Sequence, residues 1–267
     1  MKNTTTDLSS SQPLPAGVTD DDMDRFNRDG FLVVPGLAAK DLCRSINRVV
    51  DDSLDPPLAP LEFEADILYP GAPKNKAAHG GFTPRRLLHA YTRDEVFRQW
   101  ARSQSVVAIL SRLMSTDRIC LSQNHHNCIM TKHPGYSSLT SWHQDVRYWR
   151  FDRPELVSVW LALVDEYPEN GGLLLIPGSH TSDLGRGRLD ASLFLRTDLK
   201  SNRDMIDTAV AATLSVGDAV FFHCKTYHAA GRNQIDQIKK SLVYTYRAID
   251  NQPIPDTRSA VYCDIEI

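Results

Sequence analysis

Beyond residue 116 the chain is divided into short apolar or alternating runs, at 119–131, 139–145, 156–165, 173–176, 208–214, 219–224 and 241–249, separated by Gly, Pro, Asp and Asn. A strand needs only roughly 4–8 residues of this texture, whereas an ordinary helix needs about ten or more. Many short strands joined by turns bury their apolar faces by packing as two sheets or by closing on themselves. A mainly β fold of jelly-roll type with flanking helices is therefore expected, and that architecture can bring side chains from separate strands to one mouth.

The earlier residues read differently. Residues 1–16 are polar, rich in Ser, Thr and Pro, and lack periodicity, so they are expected to be a flexible leader to a single domain over 17–267. Thr19 followed by Asp20, Asp21 and Asp22 reads as a helix N-cap with an acidic first turn, stopped by Gly30. Residues 31–34 suit a strand ended by Pro35 and Gly36, and Leu42, Ile46, Val49 and Val50 mark a helical stripe over 41–53. Between 55 and 85, Pro, Gly and Lys dominate with little pattern, which predicts a long loop or lid, and 94–115 reads as one amphipathic helix.

With 267 residues, 42% of them hydrophobic, and a net charge of −3, the chain can bury an ample core and offers no basic stripe to nucleic acid. No run approaches the roughly 18 apolar residues of a membrane span, and the opening residues lack the apolar stretch of a secretory signal. A cytoplasmic address and a small-molecule partner are expected, with no membrane association. Cys43, Cys120, Cys128, Cys224 and Cys263 are odd in number and form no C-x-x-C, so they read as buried thiols rather than disulfides or zinc ligands.

The chemistry-bearing residues are His143, Asp145 and His228. A strand has a period of two, so His143 and Asp145 leave on one side while Gln144 points away. Two imidazoles and one carboxylate are the donor set of the facial triad that holds non-haem Fe(II) and leaves open positions for a chelating co-substrate and dioxygen. His223 competes with His228 for the third place, and the adjacent His125 and His126 point to opposite faces of a strand, which disfavours joint ligation.

A wider pattern surrounds these residues: Asp29-Gly-Phe-Leu-Val-Val-Pro-Gly36, Trp142-His-Gln-Asp145, Asn170-Gly-Gly-Leu-Leu-Leu-Ile-Pro-Gly-Ser-His180, Gly217-Asp218 and His228-Ala-Ala-Gly-Arg-Asn233. In this order, and across most of 17–250, the chain resembles the phytanoyl-CoA dioxygenase branch of the iron- and 2-oxoglutarate-dependent oxygenases. The resemblance implies a double-stranded β-helix of cupin-like form and Fe(II) held by His143, Asp145 and His228. It also implies 2-oxoglutarate and O2 as co-substrates, ascorbate as a stimulant, and hydroxylation with release of succinate and CO2. Because related halogenases have a small residue where Asp145 stands, the resemblance implies oxygenation rather than halogenation.

The resemblance also assigns a co-substrate pocket. Lys239 stands where the family places an arginine for the distal carboxylate of 2-oxoglutarate, and Ala230 where it places a serine. Lys239 and Ser241 share a strand face, so an ammonium and a hydroxyl together can grip a carboxylate, although without the planar fork of arginine. Trp160 and Cys128 fall at pocket-lining positions, and Arg85 at the position of an upstream family lysine. Arg147, Trp149 and Arg150 follow the first two ligands directly and form a mixed cationic and aromatic wall suited to a substrate with an acidic or polar handle. An iron enzyme of the same fold that does not use 2-oxoglutarate, and a non-catalytic metal-binding jelly roll, are the alternatives.

Overall fold

The strand signals are realised as two antiparallel sheets in a computed structural model that describes residues 13–67 and 72–267. Residues 1–12 of the expected leader lie outside the described residues. The strands are β1 (Phe31–Val34), β2 (Leu61–Phe63), β3 (Pro84–Leu88), β4 (Ile119–Leu121), β5 (Asn127–Lys132), β6 (Thr140–His143), β7 (Leu156–Ala162), β8 (Leu173–Leu175), β9 (Val210–Ala211), β10 (Ala219–His223), β11 (His228–Ala230), β12 (Lys239–Ala248) and β13 (Ile265–Glu266). The larger sheet runs β1-β10-β7-β12-β5-β3-β2, with β4 on the C-terminal half of β12 and β13 on β4; the smaller runs β6-β11-β8-β9. This is the double-stranded β-helix with flanking helices that the resemblance implies.

Period-two alternation explains how one strand serves two layers. All seven residues of β7 are buried. Val157, Val159 and Leu161 join the cluster beneath the helices, while Trp160 and Ala162 face the smaller sheet with Leu173, Leu175, Val220, Phe222 and Val243. β12 is buried throughout and divides in the same way, with Leu242, Tyr244 and Tyr246 on the helix side and Val243 turned inward. Lys239 and Ser241 share the parity of Val243, and that is why polar groups of this strand reach the space between the sheets. Truncating Leu161 to Ala in this packing costs roughly 2–5 kcal/mol.

Helices α1 (Asp20–Asp29), α2 (Lys40–Leu54), α3 (Ala90–Arg93), α4 (Glu95–Ala101), α5 (Gln104–Met114) and α6 (Lys200–Ile206) complete the described chain. Thr19 and Asp22 form the expected capping box, and Gly30 ends α1 with φ +83°, where its left-handed conformation lets the amide bond back to Phe26. The expected helix over 94–115 is two: Ser103 accepts a hydrogen bond from the Val106 amide and starts a new helix, so the apolar stripe is continuous while the backbone is not. The expected loop over 55–85 contains β2 and ends in β3, which join the larger sheet beside β5. Four cysteines are buried thiols as expected, but Cys263 is exposed near the C-terminal edge. Among the described residues no helix is long and apolar enough to cross a membrane.

Candidate metal centre

His143 and His228 are directly opposite each other on the antiparallel pair β6–β11, so their side chains leave on the same face. The register slips between His228 and Ala230, placing Thr140 rather than Ser141 opposite Ala230; the extra residue in β6 is a bulge of the kind that re-aims side chains beside active sites. β6 ends at His143, and Asp145 opens a short 3-10 turn rather than continuing the expected strand. Gln144 remains extended at φ −106°, ψ 141° and donates to the Lys225 carbonyl at 2.6 Å, so the alternation survives one residue past the strand.

One ligand atom from each of His143, Asp145 and His228 lies within 4.8 Å of the others, and all three residues are buried. The Nδ1–H of His143 donates to the Ser141 carbonyl at 2.8 Å and that of His228 to the Thr226 carbonyl at 3.0 Å. Because a carbonyl only accepts, these bonds fix the tautomer and leave the Nε2 lone pairs free. Both Nε2 atoms stand 3.7 Å from Asp145 Oδ1, too far for a hydrogen bond, and Asp145 Oδ2 is buried without a hydrogen-bond partner. Burial holds the His143 imidazole well below its ordinary pKa, hence neutral. Lone pairs and a carboxylate converging without a proton between them are satisfied by a cation, and this donor set fits Fe(II).

His126, whose adjacency to His125 disfavours joint ligation by the two, has its Nε2 3.6 Å from the same Asp145 oxygen. It is not one of the mutually close three, and burial pushes it down to about 4. His125 instead bonds Ser259 and stacks on Trp149, and both imidazoles line one cavity and touch Trp149, so the expected split to opposite faces is not realised in this bend before β5. His223, the rival third ligand, accepts the Lys225 amide and lies beside His180, away from the three.

Two cavities meet at the centre. The first is lined by His143, Asp145, His228, Thr140 and Ala230 together with Arg85, Lys132, Trp160 and Lys239. The second, on the other side of His143 and Asp145, is lined by Arg86, Cys128, Arg147, Tyr148, Trp149 and Arg258. Along one face of β5 and the residue before it, Cys128 looks into the second cavity and Met130 and Lys132 into the first, while His126 lines both. Cys128, expected beside the co-substrate, lines the second cavity, where burial raises its thiol to about 11.

Of the expected substrate wall, Arg147 stacks on Phe194 at 4.0 Å and donates to the Ser192 carbonyl at 3.2 Å, and Trp149 is buried against His125. Arg150 is exposed and donates to the carbonyl of Trp149. It is absent from both cavity linings, because the 3-10 turn redirects the chain after Tyr148.

Lys239, Ser241 and Trp160 are brought together, but around a residue that sequence reading missed. The Glu166 carboxylate accepts from Lys239 Nζ at 2.9 Å, Ser241 Oγ at 2.6 Å and Trp160 Nε1 at 3.1 Å, and it is fully buried. Arg85 is likewise engaged, with Glu64 at 3.5 Å and with Ser138 Oγ. Glu166 follows a strand in an acidic stretch that reads as a solvated turn, and only its antiparallel bridge to Leu214 draws it inward. Lys132 carried a usable signal, since it lies two and four residues beyond Met130 and Cys128 on one strand face.

The family model described as phytanoyl-CoA dioxygenase (PhyH) matches residues 26–241. An ectoine dioxygenase of Streptomyces avermitilis is 24% identical over 90% of this chain and 82% of its own. A phytanoyl-CoA dioxygenase domain-containing protein 1 of Danio rerio is 25% identical over 88% and 91%. Among solved structures, EctD from S. alaskensis with 2-oxoglutarate and 5-hydroxyectoine superposes with a TM-score of 0.72 at 19% identity, covering 92% of this chain and 82% of that one.

Proposed function

The chain belongs to the phytanoyl-CoA dioxygenase family, and from that premise we propose that it is a non-haem Fe(II)- and 2-oxoglutarate-dependent dioxygenase that hydroxylates a small, anionic or polar molecule. The observation that carries the reading is the convergence of His143, Asp145 and His228, with both Nδ1 atoms tied to carbonyls and an orphaned carboxylate oxygen between them. These three residues hold the metal; Fe(II), 2-oxoglutarate and O2 supply the oxidising power, with succinate and CO2 as by-products and ascorbate as a stimulant. The Ser141 and Thr226 carbonyls keep both imidazoles in the ligating tautomer.

The chain's other residues position and shield. The first cavity, with its lysines and Arg85, takes the 2-oxo acid, and the second takes the substrate. Arg86 is paired with Glu62 in the second cavity, and Arg147 and Arg258 add the cationic lining that selects an anionic handle. The Arg147–Phe194 stack and the bonds from Arg147 and Tyr148 to Ser192 hold the 189–195 segment over the centre, with Phe194 edge-on to His143, which keeps water out. The whole works as one catalytic domain over 17–267.

Incubation with Fe(II), ascorbate and 2-oxoglutarate should release succinate, faster with a suitable anionic substrate, and His143→Ala should abolish the release. A second reading, an iron oxygenase of this fold that consumes no 2-oxo acid, is favoured by the Glu166 carboxylate seated on Lys239, Ser241 and Trp160. It is distinguished by oxygen uptake without succinate.

A further inference from the structure

The expected carboxylate cradle is already filled by the protein itself. Lys239, Ser241 and Trp160 each direct a donor to Glu166, and the Lys239 ammonium also lies 4.5 Å over the Trp160 ring. Lys239 and Glu166 are both essentially excluded from solvent, so this is a closed, charge-neutral unit. An incoming carboxylate finds no uncompensated charge there.

A second lysine faces the same cavity. Lys132 on β5 is the direct cross-strand partner of Lys239 on β12. Two like charges at such a pair repel unless each meets an anion. Glu166 serves Lys239, while Lys132 Nζ donates to a neutral acceptor, the Ser138 carbonyl, at 2.8 Å. No carboxylate lies within 4.0 Å of Lys132 among the described residues. Glu64, the acid at this end, hydrogen-bonds the Ser138 amide and pairs with Arg85. At this end of the cavity Arg85 is paired with Glu62 and Glu64 and Lys239 with Glu166, so Lys132 is the basic group that lacks a carboxylate partner among the described residues.

The placement of Lys132 is built rather than incidental. Its stem crosses Gly171, where a Cβ would come within 2.5 Å of Lys132 Cδ, and its carbonyl is held by Asn233 Nδ2 at 2.8 Å. Burial, then repulsion from Lys239 and Arg85, pushes the ammonium down to about 7, with Glu64 raising it and Arg232 lowering it further.

We propose that Lys132, and not Lys239, receives the distal carboxylate of the 2-oxo acid co-substrate, with the Lys239–Glu166 pair serving as the closed floor of the pocket. This rests on the reading of the first cavity as the 2-oxo acid site. The missing anion is then supplied by the ligand, and specificity for a dicarboxylate arises from the lysine that the protein leaves without a carboxylate of its own.

The test is calorimetric titration of the Mn(II)-loaded protein with 2-oxoglutarate and with pyruvate, which has the same chelating head and no distal carboxylate. Titrations at pH 8 in buffers of different ionisation enthalpy count protons. Because a group titrating near 7 is mostly neutral at pH 8, 2-oxoglutarate should bind with uptake of about 0.9 proton beyond that seen with pyruvate. Lys132→Met should weaken 2-oxoglutarate roughly 10- to 100-fold, remove the extra proton and leave pyruvate unchanged. The double variant Lys239→Met with Glu166→Gln should keep 2-oxoglutarate affinity within about threefold, since it removes a neutral pair. The proposal is overturned if Lys132→Met preserves the preference for 2-oxoglutarate, or if the double variant loses it. Failure of the wild type to bind either 2-oxo acid instead overturns the functional reading beneath it.

Discussion

Glu166→Gln removes the counter-charge of a lysine that is 2% exposed and cannot reach water. In the folded protein the carboxylate takes Lys239 at 2.9 Å, Ser241 at 2.6 Å and Trp160 at 3.1 Å, so the amide must leave the ammonium buried without a full charge partner. Breaking one side of a buried pair costs about 3–5 kcal/mol, a large share of the roughly 5–15 kcal/mol that stabilises a typical domain. At about 2–4 °C per kcal/mol for a chain of this size, the midpoint of thermal unfolding falls by roughly 6–20 °C. Lys239→Met strands the carboxylate and should cost a similar amount. The double variant should recover most of the loss, because it leaves neither charge buried without its partner. Urea unfolding of the wild type, both single variants and the double variant gives the coupling energy directly. Additive single effects, each below about 1 kcal/mol, would refute the buried-pair reasoning.

Other outcomes follow from the same contacts. Lys132 has a folded pKa of about 7 against an ordinary lysine value, so between roughly pH 7 and 10 the unfolded chain binds more protons and this group's contribution to stability rises with pH. Subtracting the unfolding curve of Lys132→Met from that of the wild type should leave a positive slope in that window, and a flat difference would show a solvated amine. Arg147→Ala removes the Phe194 stack and the bond to Ser192, so limited proteolysis read by mass spectrometry should cut faster within 184–196 than in the wild type. His228→Ala should weaken Mn(II) binding at least about tenfold, because one of three protein donors is lost.

The fold was largely legible because its strands are short, alternating and punctuated: β7 and β12 read as apolar runs since both their faces are buried. The break between α4 and α5 was not, because Ser103 caps a helix without interrupting the apolar stripe that spans it. At the site, local alternation located His143 with Asp145, and family spacing rather than geometry selected His228 over His223. What sequence could not supply was pairing across the sheets. The opposition of Lys132 and Lys239, the inward turn of Glu166 and the approach of His126 to Asp145 each join positions far apart in the chain. Arg150 shows the converse, since closeness in sequence to His143 and Asp145 places it on the site wall and a single 3-10 turn carries it to the surface.

The central claim is that three side chains share one ferrous ion while part of its coordination sphere stays open to small molecules. An anomalous-scattering map from crystals loaded anaerobically with Fe(II) addresses it directly. One peak should lie between His143 Nε2, Asp145 and His228 Nε2, with the remaining ligands water or added 2-oxoglutarate. A peak elsewhere, or an ion also bound by His126 and closed to exchangeable ligands, would contradict the account.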